Sequence, residues 1–204
     1  MKDKPILGVL CSGRGTNLQS ILTAVESGQI PASIGVVLTD KPEAKALERA
    51  EKAGIPHAFI DRRAYETRRD FEEQLVAKLR QHDVSLVILA GFMRILSPYF
   101  VQQYPGRILN VHPALLPAFP GAHAHRDVLA YGVKVSGCTI HFVDEGTDSG
   151  PIILQAAVPV LPEDTEETLA ERVLDEEHRL YPRAIALCVK GQLRVKGRHV
   201  HILS

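Results

Sequence analysis

The segment that decides the fold is Ile6-Leu-Gly-Val-Leu-Cys-Ser-Gly-Arg-Gly-Thr-Asn-Leu-Gln-Ser-Ile-Leu-Thr-Ala-Val25. It opens with a short apolar run, Ile6–Cys11, as a buried β-strand does, and a glycine-rich turn follows. Apolar residues then recur with the spacing of one helix face, at Leu18, Ile21, Leu22 and Val25. Gly28 can end this helix. A strand, a turn and a helix in this order predict the start of a βαβ unit.

The same alternation continues outward from this segment. Further apolar runs bounded by turn residues predict strands at Ser33–Leu38, His57–Ile60, Leu86–Ala90, Arg107–Val111, Ser136–Val143 and Ile152–Val160. Asp164, followed three positions later by Glu167, predicts the N-cap of a long helix towards Lys190, bent near Pro182. Leu193–Ile202 is typical of a short hairpin. The pattern predicts an α/β protein with a mainly parallel sheet.

The amino-acid composition limits the classes of partner that we expect. The chain has 204 residues, 45% of them hydrophobic, with 24 basic and 24 acidic residues and no net charge. This predicts one domain with small-molecule partners and argues against nucleic acid or a membrane surface as partner. The three cysteines lack a Cys-x-x-Cys pair, and the first apolar run is too brief for an export signal, so we expect a cytoplasmic location.

The glycine-rich turn, Cys11-Ser-Gly-Arg-Gly-Thr-Asn17, lies between a predicted strand and a predicted helix. Glycines there let backbone N–H groups approach a ligand, and a helix N-terminus favours an anion. Because the third glycine of a dinucleotide motif and the lysine of a P-loop are missing, we expect a monophosphate. The alternative is a tight turn in which Thr16 or Asn17 caps the helix.

Asn110 and His112 point to chemistry on a carbonyl group. Two residues apart on a strand, their side chains share one face, and Pro113 then ends the strand. An amide and an imidazole can stabilise a negatively charged oxygen and carry a proton, although His112 alone could be structural. A carboxylate from the following loop could keep the imidazole protonated, and Asp144, Glu145 and Asp148 are all candidates. The constrained turn Ser149-Gly-Pro151 favours Asp148.

Two other segments raise questions of ligand binding. His123 and His125 could chelate a metal as an i, i+2 pair, but no acidic or cysteine partner accompanies them. We expect no metal there, and favour a loop lining the site or an N-cap region for a helix over Arg126–Ala130. Gly91–Pro98 follows a buried strand and is expected to be a ligand-lining loop.

Four motifs together resemble the phosphoribosylglycinamide formyltransferase family: Ser12-Gly-Arg-Gly-Thr-Asn-Leu-Gln19, Ala90-Gly-Phe-Met-Arg-Ile-Leu-Ser-Pro98, Asn110-Val-His-Pro-Ala-Leu-Leu-Pro117 and Asp148-Ser-Gly-Pro151. The resemblance runs over nearly the whole chain. It implies a formyltransferase fold, three-layered α/β/α with a Rossmann-like N-terminal half. We expect a single domain over 1–204, with a phosphate-binding half (1–100) and a catalytic, folate-binding half (101–204).

The resemblance also implies the reaction and its residues. The formyl group of 10-formyltetrahydrofolate would pass to the glycyl amine of a phosphoribosylglycinamide in purine biosynthesis, without a metal. Catalysis would rest on Asn110, His112 and Asp148. The ribonucleotide would be bound by Gly15, Thr16, Asn17 and Glu177. The folate would be bound by Arg68, Met93, Arg94, Ile95, Leu96, Asn110 and the loop residues Asp144, Glu145, Gly146, Thr147 and Asp148.

Related activities remain as alternatives. Methionyl-tRNA and sugar-amine formyltransferases and formyltetrahydrofolate deformylase share the implied core, and a non-catalytic nucleotide or folate sensor could share the fold. We expect neither a basic C-terminal tRNA-binding domain nor an N-terminal regulatory domain. Ala114 departs from the family pattern, which often has serine beside the histidine. The oligomeric state is expected to be monomer or homodimer.

Overall fold

The computed structural model describes residues 4–203. The strands are β1 (Ile6–Cys11), β2 (Ser33–Thr39), β3 (His57–Phe59), β4 (Leu86–Leu89), β5 (Ile108–His112), β6 (Val135–Phe142), β7 (Ile152–Pro159), β8 (Leu193–Lys196) and β9 (His199–Ile202). The helices are α1 (Thr16–Glu26), α2 (Lys45–Lys52), α3 (Arg68–Gln81), α4 (Pro98–Gln103), α5 (Ala124–Tyr131) and α6 (Glu166–Val189), with a 3-10 turn at Arg62–Ala64.

Within residues 4–203, seven strands form one sheet in the order β3-β2-β1-β4-β5-β6-β7. Strands β1 to β5 pair in parallel, and β6 and β7 join in antiparallel orientation. β8 and β9 form the separate C-terminal hairpin. The mainly parallel α/β sheet expected from the sequence is therefore confirmed.

Helices cover both faces of the sheet, because its central strands are apolar on both sides. One core packs β1 and its neighbours against α1, α2, α5 and α6, and includes Leu18, Val128 and Ile185. The other packs the opposite face against α3 and α4, and includes Phe71 and Phe100. These two cores make the three-layer arrangement.

Most predicted elements are present with small shifts at their ends. β5 begins at Ile108 and includes His112, whose backbone pairs with Thr139 of β6. The predicted N-cap of α6 is wrong: Thr165, not Asp164, caps the helix and forms a capping box with Thr168. The Asp164 carboxylate instead accepts from Leu161 N and binds Arg172. The helix then continues through Pro182.

Candidate active site

The strand order reverses between β1 and β4. In open parallel sheets the carboxyl ends of the strands at such a reversal leave a crevice in which ligands bind. Three of the predicted segments lie at this edge: the glycine loop after β1, Gly91–Leu96 after β4, and the end of β5 with Asn110 and His112. The topology thus brings the sequence motifs together.

Asn110 and His112 lie on one face of β5 and line the same cavity. The strand is held on both edges, by β4 in parallel and by β6 in antiparallel orientation. His112 is 3% exposed, so its imidazole is removed from bulk water. The predicted common face is therefore observed.

Both ring nitrogens of His112 face acceptors. Nε2 lies 2.7 Å from the Phe119 carbonyl oxygen, and Nδ1 lies 3.3 Å from Asp148 Oδ2. A carbonyl oxygen and an ionised carboxylate can only accept, so the imidazole that satisfies both carries a proton on each nitrogen. The geometry suits an imidazolium paired with Asp148.

The three candidate carboxylates of the 144–148 loop have different partners. Asp148 adopts a left-handed backbone conformation, φ 50°, and its Oδ2 also accepts from Gly121 N at 2.8 Å. Asp144 Oδ1 accepts within its own loop, from Gly146 N and from Ser149 Oγ. Glu145 accepts from Gln102. Asp148 is the carboxylate that reaches His112.

A second histidine, His141 on β6, lies beside the His112–Asp148 pair. Its side chain is 1% exposed, and burial lowers its pKa below the ordinary 6.5. Nε2 is 3.3 Å from Asn110 Nδ2 and 3.8 Å from Asp148 Oδ1. The sequence analysis missed it, although a histidine in an apolar strand next to an acidic loop was a usable signal.

These side chains open into a cavity of about 270 Å³. Its walls are the two segments predicted to hold a folate, and the lining includes Met93, Arg94, Ile95, Leu96, Asp144, Gly146 and Thr147. Met93 and Ile95 are 72% and 63% exposed, which leaves an apolar surface at the mouth.

Glu145 does not line the cavity. Arg68 lies outside its lining and is bound to Glu72 and to the Ile95 carbonyl.

The cavity wall and the glycine loop are directly connected. Ser12 Oγ accepts from Met93 N at 2.9 Å and donates to Asp40 Oδ1 at 2.6 Å. The other oxygen of Asp40, which is 5% exposed, accepts from Arg94 Nε at 2.5 Å. Asp40 therefore fixes the Arg94 guanidinium through Nε. The glycine loop and the Gly91–Leu96 segment share one polar network.

The glycine loop has the features of an anion site. Gly15 has φ 69°, and an added Cβ would lie 2.9 Å from Ala46 Cα, so only glycine fits. No side chain caps α1 and no acidic residue lies in its first turn, which leaves free N–H groups there. The alternative of Thr16 or Asn17 as the N-cap is not observed. Arg49, which the sequence analysis missed, donates to the Arg14 carbonyl beside the loop.

Asn17 and Glu177 meet although they come from opposite ends of the chain. Asn17 Nδ2 donates to Glu177 Oε2 at 2.7 Å, and both side chains are buried. Burial raises the pKa of Glu177 above 4.5, and the hydrogen bond from Asn17 opposes part of this rise. Asn17 Oδ1 is buried without a hydrogen-bond partner. Two predicted ribonucleotide-binding residues thus form one unit.

Two larger concavities, of about 670 and 430 Å³, lie on helix surfaces away from the Asn110–His112 pair. The smaller of them borders Thr16 and His178, next to the glycine loop. His112, His141 and Asp148 line the 270 Å³ cavity and neither of these two concavities.

Among residues 4–203, no group of three or more His, Cys, Asp or Glu side chains is arranged to hold a metal ion. His123 is the N-cap residue of α5, as predicted, but the helix begins at Ala124 and not at Arg126, so His125 lies in its first turn. Burial lowers the pKa of His125. Over the same residues, no helix has the length and apolarity needed to cross a membrane.

A mainly parallel sheet that carries a glycine loop with the features of an anion site and an Asn–His–Asp cluster at one edge is suited to group transfer at a carbonyl carbon. The family model described as formyl transferase matches residues 7–185, so the chain belongs to the formyl transferase family. Within that family it is similar to phosphoribosylglycinamide formyltransferase of Escherichia coli (strain K12), with 42% identity over 187 residues that cover 92% of this chain and 88% of that protein.

Two further relatives are also connected, by their names, with purine biosynthesis or with glycinamide ribonucleotide transformylase. The chain is 47% identical over 193 residues, 95% of its length, to the trifunctional purine biosynthetic protein adenosine-3 of Gallus gallus, of which it spans only 19%. The crystal structure of glycinamide ribonucleotide transformylase 1 from Symbiobacterium toebii superposes with a TM-score of 0.98 at 50% identity, covering 100% of this chain and 96% of that one. The expected formyltransferase fold is confirmed.

Proposed function

We propose that the protein transfers the formyl group of 10-formyltetrahydrofolate to the glycyl amine of N1-(5-phospho-D-ribosyl)glycinamide, a step of purine biosynthesis. The observation that carries this proposal is the His112–Asp148 contact, 3.3 Å between Nδ1 and Oδ2, at the base of a cavity beside an anion-binding loop. Family membership and the names of the relatives support it.

The acceptor binds at the glycine loop. Its phosphate meets the free N–H groups of the first turn of α1, at Gly15, Thr16 and Asn17, where the helix dipole favours negative charge. Arg49 adds a positive charge beside the loop. Asn17 and Glu177 then lie next to the phosphate and offer a carboxylate to the amine-bearing end of the molecule.

The formyl donor binds in the 270 Å³ cavity. Met93, Ile95 and Leu96 give an apolar wall for a flat heterocycle, and the 144–148 loop faces them with polar groups. The shared network of Ser12, Asp40 and Arg94 joins this wall to the acceptor loop, which sets the two substrates side by side. Arg68, which binds the Ile95 carbonyl next to the cavity wall, meets the acidic tail of the folate.

In the reaction, the amine nitrogen forms a bond to the formyl carbon, and the bond from that carbon to the folate nitrogen breaks. The oxygen gains negative charge on the way, and Asn110 donates an N–H to it while the imidazolium of His112 stabilises it by charge. Asp148 accepts the proton that the amine loses, and the proton returns to the departing folate nitrogen. Loss of one oxyanion donor costs about 10²–10³ in rate.

The test is an acceptor-competition assay. The protein is mixed with 10-formyltetrahydrofolate and offered the phosphoribosylglycinamide, a sugar amine, charged tRNA or water alone, and the release of tetrahydrofolate is followed. Turnover only with the phosphoribosylglycinamide supports the proposal. Turnover with water alone would mean a deformylase, and binding without turnover would mean a sensor.

We expect the protein to act in the cytoplasm, since all three cysteines are free thiols. We also expect one domain, and a monomer or homodimer, which sedimentation equilibrium measures directly.

A further inference from the structure

His141 is the buried titratable group at the site to which neither the sequence motifs nor the proposed reaction gives a task. It projects from β6 directly opposite Asn110, since these two residues are paired in the antiparallel register of β5 and β6. A polar side chain that is 1% exposed needs partners for its nitrogens. Its two ring nitrogens have different partners, and these partners fix its chemical state.

The first nitrogen, Nδ1, lies 2.8 Å from the carbonyl oxygen of Phe142. A carbonyl oxygen only accepts, so Nδ1 carries the proton. In a neutral imidazole the other nitrogen, Nε2, is then an acceptor. Nε2 lies 3.3 Å from Asn110 Nδ2, an amide nitrogen that can only donate. Asn110 therefore donates to a neutral His141.

The charges around His141 act in both directions. Burial disfavours its protonated form, and the neighbouring His112 does the same, while Asp148 and Asp144 favour it. Burial is the largest of these effects, and the pKa of His141 is lowered as a result. The lowered pKa agrees with the neutral imidazole that the hydrogen-bond partners of His141 require.

We propose that His141 is a positioning residue that fixes the side-chain amide of Asn110 through the Nδ2–Nε2 hydrogen bond. One N–H of Asn110 is held by His141, which determines which way the amide faces and leaves the second N–H for the substrate oxygen. A carboxamide is nearly symmetric in shape and could otherwise turn its oxygen to the cavity, where it would repel a developing oxyanion. The inference rests on the proposed function, because it assigns Asn110 as the oxyanion donor.

Two substitutions of the same polarity separate this role from packing. Gln at position 141 extends to the position of Nε2 and can present its Oε1 to Asn110, whereas Asn reaches only the position of Nδ1. We expect H141N to lower kcat and kcat/KM together by about 10–100-fold, the cost of a misplaced group. We expect H141Q to recover most of the loss. An H141Q enzyme as slow as H141N would overturn the proposal.

A double-mutant cycle with Asn110 gives a second readout. If His141 acts through Asn110, then H141N costs little once N110A has removed the amide, so the two effects are not additive. If H141N lowered kcat by the same factor in the wild-type and in the N110A protein, His141 would act independently of Asn110, which would contradict the proposal. Thermal unfolding of each variant identifies any loss that is due to folding alone.

The resting protein provides a test that does not depend on turnover. In a ¹⁵N-labelled sample at about pH 7, the imidazole nitrogen shifts of His141 should report a protonated Nδ1 and a bare Nε2, as for any neutral histidine with that tautomer. A protonated Nε2 would overturn the proposal. If the acceptor assay fails while this tautomer is found, the proposed reaction is wrong but the hydrogen bond stands.

Discussion

Asn17 and Glu177 are hydrogen-bonded in the core although 160 positions separate them, with Asn17 Nδ2 donating to Glu177 Oε2 at 2.7 Å. The contact ties the first turn of α1 to the middle of α6. It places a buried carboxylate next to the free N–H groups of the glycine loop. The proposed acceptor site is thus built from both ends of the chain.

Substitution Asn17→Asp should weaken binding of the ribonucleotide. The new carboxylate lies beside Glu177 and beside the proposed phosphate site, and it repels both the Glu177 carboxylate and a bound phosphate. We expect a loss of affinity of about tenfold or more, which corresponds to about 1.4 kcal/mol, with folate affinity unchanged. Isothermal titration calorimetry with each ligand measures this, with Thr23→Ala on the exposed side of the same helix as control. Weaker folate binding instead would move the loop to the donor side.

The pH dependence of stability should reveal the burial of Glu177. Its pKa is raised in the folded protein above 4.5, so its contribution to stability is present at low pH and is lost as pH rises through the folded-state value. The substitution Glu177→Gln removes this term. The free energy of unfolding of the variant, relative to wild type, should therefore increase as pH rises from 4.5 towards neutrality. Urea titrations at several pH values measure it, and a flat difference would contradict the buried charge.

Replacing Asp148 by Asn should remove the charge that faces His112 while keeping the shape of the side chain. We expect turnover to fall by about 10²–10⁴, the usual contribution of a positioned acid or base, with the fold intact. Asp127→Asn, at an exposed ion pair on α5, is the matched control and should keep normal turnover. Steady-state kinetics and circular dichroism are sufficient, and near-normal turnover in the Asp148 variant would remove it from the mechanism.

Gly15 and Gly13 are two glycines of one loop with different requirements. Gly15→Ala should destabilise the protein by about 1–3 kcal/mol, because φ is 69° and the new Cβ meets the backbone of α2 at Ala46. Gly13→Ala should change stability by less than about 0.5 kcal/mol, because an added Cβ there has nothing within 4 Å. Chemical denaturation compares the two. Equal losses would mean that the loop is not strained at Gly15.

Local sequence patterns predicted most of the elements. The period of apolar residues gave β1 and α1, and the spacing of Asn110 and His112 gave their common face, because strand and helix geometry repeat every few residues. The N-cap of α6 was misplaced by one residue because Asp164 and Thr165 are both good capping residues. Only the structure shows that Asp164 binds Arg172 instead.

The sequence by itself determined the order of the helices and strands, the glycine loop, and the common face of Asn110 and His112 on β5, since each is a local pattern. Only the tertiary structure decided that Asp148 contacts His112 while Glu145 turns to Gln102, that His141 meets Asn110, and that Glu177 meets Asn17. These contacts join residues far apart in the chain. Their geometry follows from the strand order and from the packing of helices on the sheet, which no local period encodes.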